Sequence, residues 1–316
     1  MSVRSLLSAA LVAVLAGVST ATAQVDFTKA RFDRKAQAVR ATGPITVDGV
    51  MDEADWLKAP VASGFVQADP REGEPASSDT EVRMLYDDRA LYVGVFCHEL
   101  PGDIIVQDLK KDFDSASADV FSVLLDTYHD QRNAYVFGIN PMGAKWDGQV
   151  INDGRDVNAN WDGIWTVRTQ FVAGGWTAEF EIPFRTLRFT NADVQTWGLN
   201  FLRRLRKKNE DSYWAPLPRF YTITRVSMAG TLEGIRGVRP GSDLRVKPYA
   251  LGSGATVAAA PTTGSFQGGF DAKWGVTSTL TWDFTVNTDF SQVEADEQQI
   301  NLTRYSLFFP EKRDFF

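Results

Sequence analysis

Histidine and cysteine are nearly absent from the chain. His98, His129 and Cys97 are the only such residues in 316. That scarcity excludes a disulfide framework, a cysteine-rich zinc site and any three-histidine metal centre. Excess positive charge is lacking too: 33 Lys and Arg stand against 40 Asp and Glu, a formal charge of −7. A globally basic nucleic-acid binder is therefore excluded, and no nucleic-acid partner is expected. Beyond Ala23 no stretch reaches the 18 consecutive apolar residues that a membrane helix requires. Gly-x-Ser-x-Gly, P-loop and His-Glu-x-x-His patterns are missing as well. What remains for chemistry is carboxylates, amides, arginines and an aromatic content of 12%.

The first 23 residues read as an export signal. Arg4 gives a positive start, Leu6 to Gly17 an apolar run too short to span a bilayer, and Ala21-Thr22-Ala23 a cleavage site of small residues. Gln24 follows in place of the cysteine that a lipid anchor uses.

Residues 24–40 read as an N-terminal extension, and residues 41–235 as short strands of period two broken by turns. The clearest are 81–86, 91–96, 120–125, 134–139 and 176–182, with Asp87-Asp88-Arg89-Ala90 as a hairpin turn between the first two. No amphipathic helix of 10–15 residues separates them, which argues against parallel βαβ units and for an all-β, antiparallel sandwich of jelly-roll type. Only Asp52 to Lys58 looks helical, and only for a turn or two. After residue 240 the texture changes. Leu280, Trp282, Phe284 and Val286 share one face of a strand while Thr281, Asp283 and Thr285 share the other. An ordinary half-buried strand gives this pattern, and so does a barrel strand that faces lipid on one side and a polar lumen on the other. The chain stops in an apolar stretch, Leu307-Phe308-Phe309-Pro310 to Asp314-Phe315-Phe316, which reads as the start of a truncated β-barrel over 240–316 and the sequence as a fragment.

Ile45-Thr46-Val47-Asp48-Gly49, Asp52-Glu53-Ala54-Asp55-Trp56, the pair of strands 80–88 and 91–94, and then 118–126, 176–184 and 197–201 resemble, in that order, the strands of a family 9 carbohydrate-binding module. The stretch 285–296, with Asn301-Leu302-Thr303-Arg304 and Phe308 to Arg313, is similar to the domain-of-unknown-function family 5916, whose members continue as a predicted outer-membrane barrel. Asp314 stands where that family more often has proline. These resemblances imply an exported saccharide binder, in the periplasm or outer membrane of a Gram-negative bacterium and linked to polysaccharide catabolism. They imply as partners an oligo- or polysaccharide and the outer membrane. The alternatives are a hydrolase of O-glycosyl bonds, or a structural plug on a barrel.

Sugar binding needs a flat aromatic face ringed by amides and charges. Trp214 falls where the resembled module carries a stacking tryptophan, and the loop Asp103 to Ser117, where a second would lie, offers only Phe113. Asn200 and Arg203 stand on the neighbouring strand; Arg203 and Arg204 point to opposite faces, so only one of them reaches a site. Trp176 and Trp197 are expected in the core. Lys145-Trp146-Asp147-Gly148 and Trp161-Asp162-Gly163 are Trp-Asp-Gly repeats, which either present rings and carboxylates to a ligand or simply form tight turns with the ring tucked beneath. The turn reading is the simpler, and Trp146 and Trp161 stay as candidate contacts.

Glu179 and Glu181 stand two apart on one strand, roughly 6.6–6.8 Å between backbones, near the spacing glycosidases use. With Ala178, Phe180 and Ile182 on the buried face, both carboxylates are expected in solvent, without the burial that raises a catalytic acid. Cys97 and His98 project to opposite sides of a strand and cannot act as nucleophile and base. No cofactor is required. Asp48, Asp52 and Glu53 offer oxygen ligands for the structural Ca²⁺ of the resembled module, the competing reading being a helix cap at Asp52 and solvated neighbours.

Overall fold

The protein is described here by a computed structural model covering residues 25–241, 244–255, 263–275 and 280–287. The export signal, the family-resembling stretch beyond residue 287 and the chain end lie outside the described residues.

Two sheets form a sandwich. The larger is built from β1 (Lys35–Gln37), β3 (Val66–Asp69), β6 (Val120–Asp126), β7 (Ala134–Ile139), β8 (Lys145–Ile151), β9 (Asp156–Asn158), β12 (Trp197–Leu205), β13 (Glu210–Tyr213) and β14 (Gly230–Glu233). Its order is β1-β14-β12-β6-β7-β8-β9, with β13 pairing both β12 and β3. The smaller sheet runs β10-β11-β5-β4-β2, from β2 (Val39–Arg40), β4 (Thr80–Tyr86), β5 (Ala90–His98), β10 (Thr166–Val172) and β11 (Gly175–Pro183). Pairing is antiparallel except for β1 with β14 and β2 with β4. Consecutive residues 35–40 thus pair first with one sheet and then with the other, and close one side of the sandwich. The expected all-β sandwich is observed.

The core between the sheets follows from period two. Phe121, Val123 and Leu125 of β6, Tyr135, Phe137 and Ile139 of β7, and Trp197, Leu199 and Phe201 of β12 meet Val93 and Val95 of β5 and Ala178, Phe180 and Ile182 of β11. Trp176 and Trp197 are buried there, as expected. Asp87 forms the hairpin turn by accepting the Arg89 and Ala90 amides on its side chain.

The strands are buried on their second faces too. Segment 45–59 lies on the smaller sheet, where Trp56 packs with Leu85 and Tyr92. Gly94 admits it, since a Cβ there would sit 2.5 Å from Met51 Sδ. The expected helix 52–58 is reduced to a single 3₁₀ turn, Trp56–Lys58. Segment 214–229 covers part of the larger sheet's outer face, where Leu217, Ile223 and Val226 pack on Leu124, Val136 and Leu202.

β15 (Leu244–Ala255), β16 (Thr263–Gly275) and β17 (Thr281–Val286) form a separate antiparallel sheet. Phe270 pairs with Val286, Ala272 with Phe284 and Trp274 with Trp282. One face therefore carries Val246, Phe266, Phe270, Trp274, Trp282, Phe284 and Val286, all exposed. The other carries Asp271, buried, and the Lys273–Asp283 ion pair.

Candidate functional site

Seven of the nine tryptophans lie in the sandwich, and five of those are buried. The two that keep solvent access are Trp146 and Trp161, the two followed by Asp-Gly. The expected tight turns are not formed: Trp146-Asp147-Gly148 runs inside β8, where pairing with β7 holds it extended, and Trp161-Asp162-Gly163 lies in the loop before β10.

Trp146 stands on the larger sheet's outer face. Strand register sets it in a transverse row with Gly138, Ser122, Leu202 and Tyr213, from β8 through β7, β6 and β12 to β13. Gly138 makes room for the indole: a Cβ there would come within 1.9 Å of Trp146 Nε1. Phe113, Val120 and Ala144 pack on the ring from one side, and the cluster of Leu202 and Tyr213 from the other. Two buried polar atoms in this row, Ser122 Oγ and Trp146 Nε1, complete no hydrogen bond. One row on, Arg204 donates to both oxygens of Asp211, at 2.6 Å each, and to the Ser115 carbonyl at 2.8 Å. A half-open ring beside fixed polar groups, with buried donors and acceptors unspent, is suited to a ligand that is apolar on its face and hydroxylated at its edge.

The other expected contacts are distributed differently. Asn200 is buried on the outer face and spends its amide on Ala215, donating to that carbonyl and accepting from that N–H. Phe113 is 4% exposed and serves as a wall behind Trp146. Trp214 points into the core, 3% exposed and 5.6 Å from the Phe201 ring, so the stacking face expected of it is covered. It is drawn inward because its N–H bonds the Phe201 carbonyl and because Gly230 leaves space for its ring. Arg203 is wholly buried, ion-paired with Glu99 and 5.2 Å above the Trp176 ring. Of the two adjacent arginines it is Arg204 that stands on the outer face.

The expectation that Glu179 faces solvent is overturned. Its carboxylate is fully buried beneath segment 45–59. One oxygen accepts the Asp48 and Gly49 amides at 3.0 and 2.9 Å, and the other accepts Trp56 Nε1 at 3.1 Å. Burial pushes its pKa up to about 7, and its neighbours Glu53 and Asp48 push the same way. The strand pattern showed which face met the core; it gave no sign that a separate segment covers the opposite face. With every donor around it supplied by the protein, Glu179 acts as a clamp. Glu181 is partly exposed. The expected calcium ligands are likewise occupied. Asp48 accepts from the Val50 amide, and Glu53 from the Thr46 amide and the Trp56 indole. Asp52 is exposed, and the cap position of the short turn falls to Asp55. Among the described residues no three His, Cys, Asp or Glu side chains converge on a metal position.

Residues 47–213, more than half of the chain, match the family described as carbohydrate family 9 binding domain-like. The chain belongs to that family. Residues 240–316 match a domain of unknown function, DUF5916. Among solved structures, a protein from Bacteroides uniformis ATCC 8492, provisionally described as carbohydrate-binding, is similar at 12% identity with a TM-score of 0.54, over 64% of this chain and 99% of that one. That likeness supports the fold. A family 9 carbohydrate-binding module from Caldicellulosiruptor kristjanssonii in complex with cellotriose is similar at 15% identity and a TM-score of 0.45, over 66% of this chain and 96% of that one. The same module in complex with glucose gives 13% identity and 0.46, over 66% and 98%. No curated protein matches the chain.

Proposed function

We propose that the sandwich binds saccharide on the outer face of its larger sheet, with Trp146 as the stacking platform. One observation carries this reading: Trp146 is a half-open indole seated over Gly138, beside buried polar atoms that no protein group satisfies. Unspent buried donors and acceptors are costly in a closed core and useful at a ligand site. Membership of a carbohydrate-binding family supports the ligand class, and the Arg204–Asp211 pair supplies fixed hydrogen-bonding groups at the edge of the platform. The experiment is binding of the 316-residue chain to a glycan array, followed by titration of the strongest soluble ligand with wild type and Trp146→Ala. Undiminished affinity in the variant would overturn the assignment.

The same reading extends to location. We propose an exported protein of a Gram-negative cell whose second unit enters the outer membrane as a β-barrel, with the sandwich serving polysaccharide catabolism. Support comes from the export-signal pattern of residues 1–23 and from the three-stranded sheet. In that sheet Phe266 is 78% exposed and Trp282 60%, while Asp271 on the opposite face is 6% exposed. An apolar face turned outward and a polar face turned inward is the arrangement of a lipid-facing strand. Flotation of the chain with phospholipid vesicles, lost on Trp282→Asp with Phe284→Asp, tests it.

A further inference from the structure

The two Trp-Asp-Gly segments, the first within β8 and the second in the loop between β9 and β10, meet in space. Asp147 of the first accepts the Gly163 amide of the second at 2.5 Å. Lys111, from the long loop before β6, reaches both, with Nζ 2.5 Å from Asp162 Oδ1 and 3.9 Å from Asp147 Oδ1. Trp161 lies over this cluster: Gly163 is the glycine that admits it, since a Cβ there would lie 2.7 Å from Trp161 Cη2 and 3.2 Å from Asp147 Oδ2. The indole packs on Tyr135 and Phe137, at 5.0 and 5.9 Å between centroids, yet keeps solvent access. Lys145, one residue before the first motif, donates to the Trp165 carbonyl at 2.9 Å and sits over that ring.

This cluster is distinct from the Trp146 platform. Successive strand residues face opposite ways, so Trp146 lies on the outer face of β8 while Lys145 and Asp147 lie on the inner side. Its buried polar groups hold the cluster together. Asp147 is 1% exposed; it takes the Gly163 amide on Oδ2, while the Trp165 indole N–H lies beside the carboxyl and Lys111 stands 3.9 Å from Oδ1. Burial holds the Asp147 carboxyl above its ordinary pKa. Lys111 and Lys145 face three carboxylates, Asp147, Asp162 and Asp112, the last 3.8 Å from Lys111, so the cluster has no excess positive charge to draw an acidic ligand.

We propose that Trp161, Lys111, Asp147 and Asp162 form a second saccharide-contact site for a neutral sugar ring, placed across β8 from the first. It rests on the saccharide-binding reading and deepens it: a protein with platforms on both sides of one strand suits a chain of several sugar units better than a monosaccharide. The ring face meets the indole, while Lys111 donates to and Asp162 accepts from its hydroxyls, and buried Asp147 fixes the Gly163 backbone beneath the ring.

The test uses the full chain on an array of neutral and acidic glycans, then calorimetric titration of the best-bound neutral hexasaccharide and its monosaccharide. Lys111→Ala and Asp162→Ala alter side chains that are 41% and 65% exposed, and they keep the test clear of folding defects in Trp161→Ala. Each is expected to weaken hexasaccharide binding by roughly 3- to 10-fold, the worth of one or two hydrogen bonds. Trp161→Ala is expected to weaken it further, with monosaccharide binding retained. Hexasaccharide affinity unchanged in all three variants but lost in Trp146→Ala would overturn this second site and leave the first standing. Exclusive binding of acidic glycans would overturn it as well. Failure of wild type to bind any glycan would overturn both.

Discussion

Glu179 offers the sharpest test of how this fold holds its covering segment. The carboxyl is raised from 4.5 to about 7 by burial. That displacement corresponds to roughly 3 kcal/mol between its two protonation states. Between those pH values the folded chain holds a proton that the unfolded chain has released, so by linkage stability falls as pH rises through the window. The contribution is fully present below about 4.5 and fully lost above about 7. Glu99, Asp119, Asp126 and Asp147 are also raised by burial, so the pH profile of the wild type alone does not isolate Glu179. Glu179→Gln does. Its carbonyl can still accept the Asp48 and Gly49 amides, and the Trp56 N–H keeps Glu53, 3.1 Å away. The expected outcome is a variant whose stability relative to wild type improves by roughly 3 kcal/mol between pH 4.5 and 8. In urea, with slopes of roughly 1–3 kcal/mol per molar, that moves the difference in midpoints by at least ~1 M. Tryptophan fluorescence reports it, since Trp56 touches the altered group. Parallel pH profiles for variant and wild type would refute the reasoning. Glu179→Ala, by contrast, strands two buried amides and opens a cavity, and it is expected to cost about 3–5 kcal/mol at either pH.

Four further outcomes follow from the geometry. Trp146→Ala is expected to lower saccharide affinity by ~10- to 100-fold in calorimetric titration, as loss of a central aromatic contact does. Gly138→Ala should reproduce much of that loss without touching a ligand group, because its Cβ would displace the indole 1.9 Å away; unaltered affinity would show that ring position is immaterial. Arg203→Met leaves Glu99 buried without a partner and is expected to cost about 3–5 kcal/mol in chemical denaturation, whereas Arg203→Met with Glu99→Leu recovers most of it. Replacing Trp282 and Phe284 together by Asp should abolish vesicle flotation while leaving glycan binding intact.

The fold was largely legible because period-two alternation writes the sandwich directly. The runs in β4, β5, β6, β7 and β11 were each readable, and Trp176 and Trp197 fell in the core as their places in strands implied. What alternation cannot reveal is whether a second layer covers the face it marks as polar. On β11 such a layer exists, so Glu179, on the polar side by pattern, became a buried clamp. On β12 the same pattern correctly separated Arg203 from Arg204, but which of them pointed inward depended on Glu99 and Trp176, partners distant in sequence.

The accessible indoles show the converse. A Trp-Asp-Gly segment can bury its ring only if the surrounding sheet offers a pocket deep enough, and Gly138 and Gly163 are each the missing side chain beside one of them. A glycine that lets a large ring lie flat on a sheet leaves the ring's other contacts to be set by the neighbouring loops. For Trp146 those are Phe113 and the Tyr213 cluster, which flank it without closing over it. Trp214, the stacking residue that the resemblance implies, meets a glycine as well, but Gly230 pairs with Leu199 of the core and its open space lies on that inner side, so the ring packs in the core. Position along the chain did not distinguish these three tryptophans. The glycine beside each ring did, because its place decides whether the space it leaves opens toward the core or toward solvent.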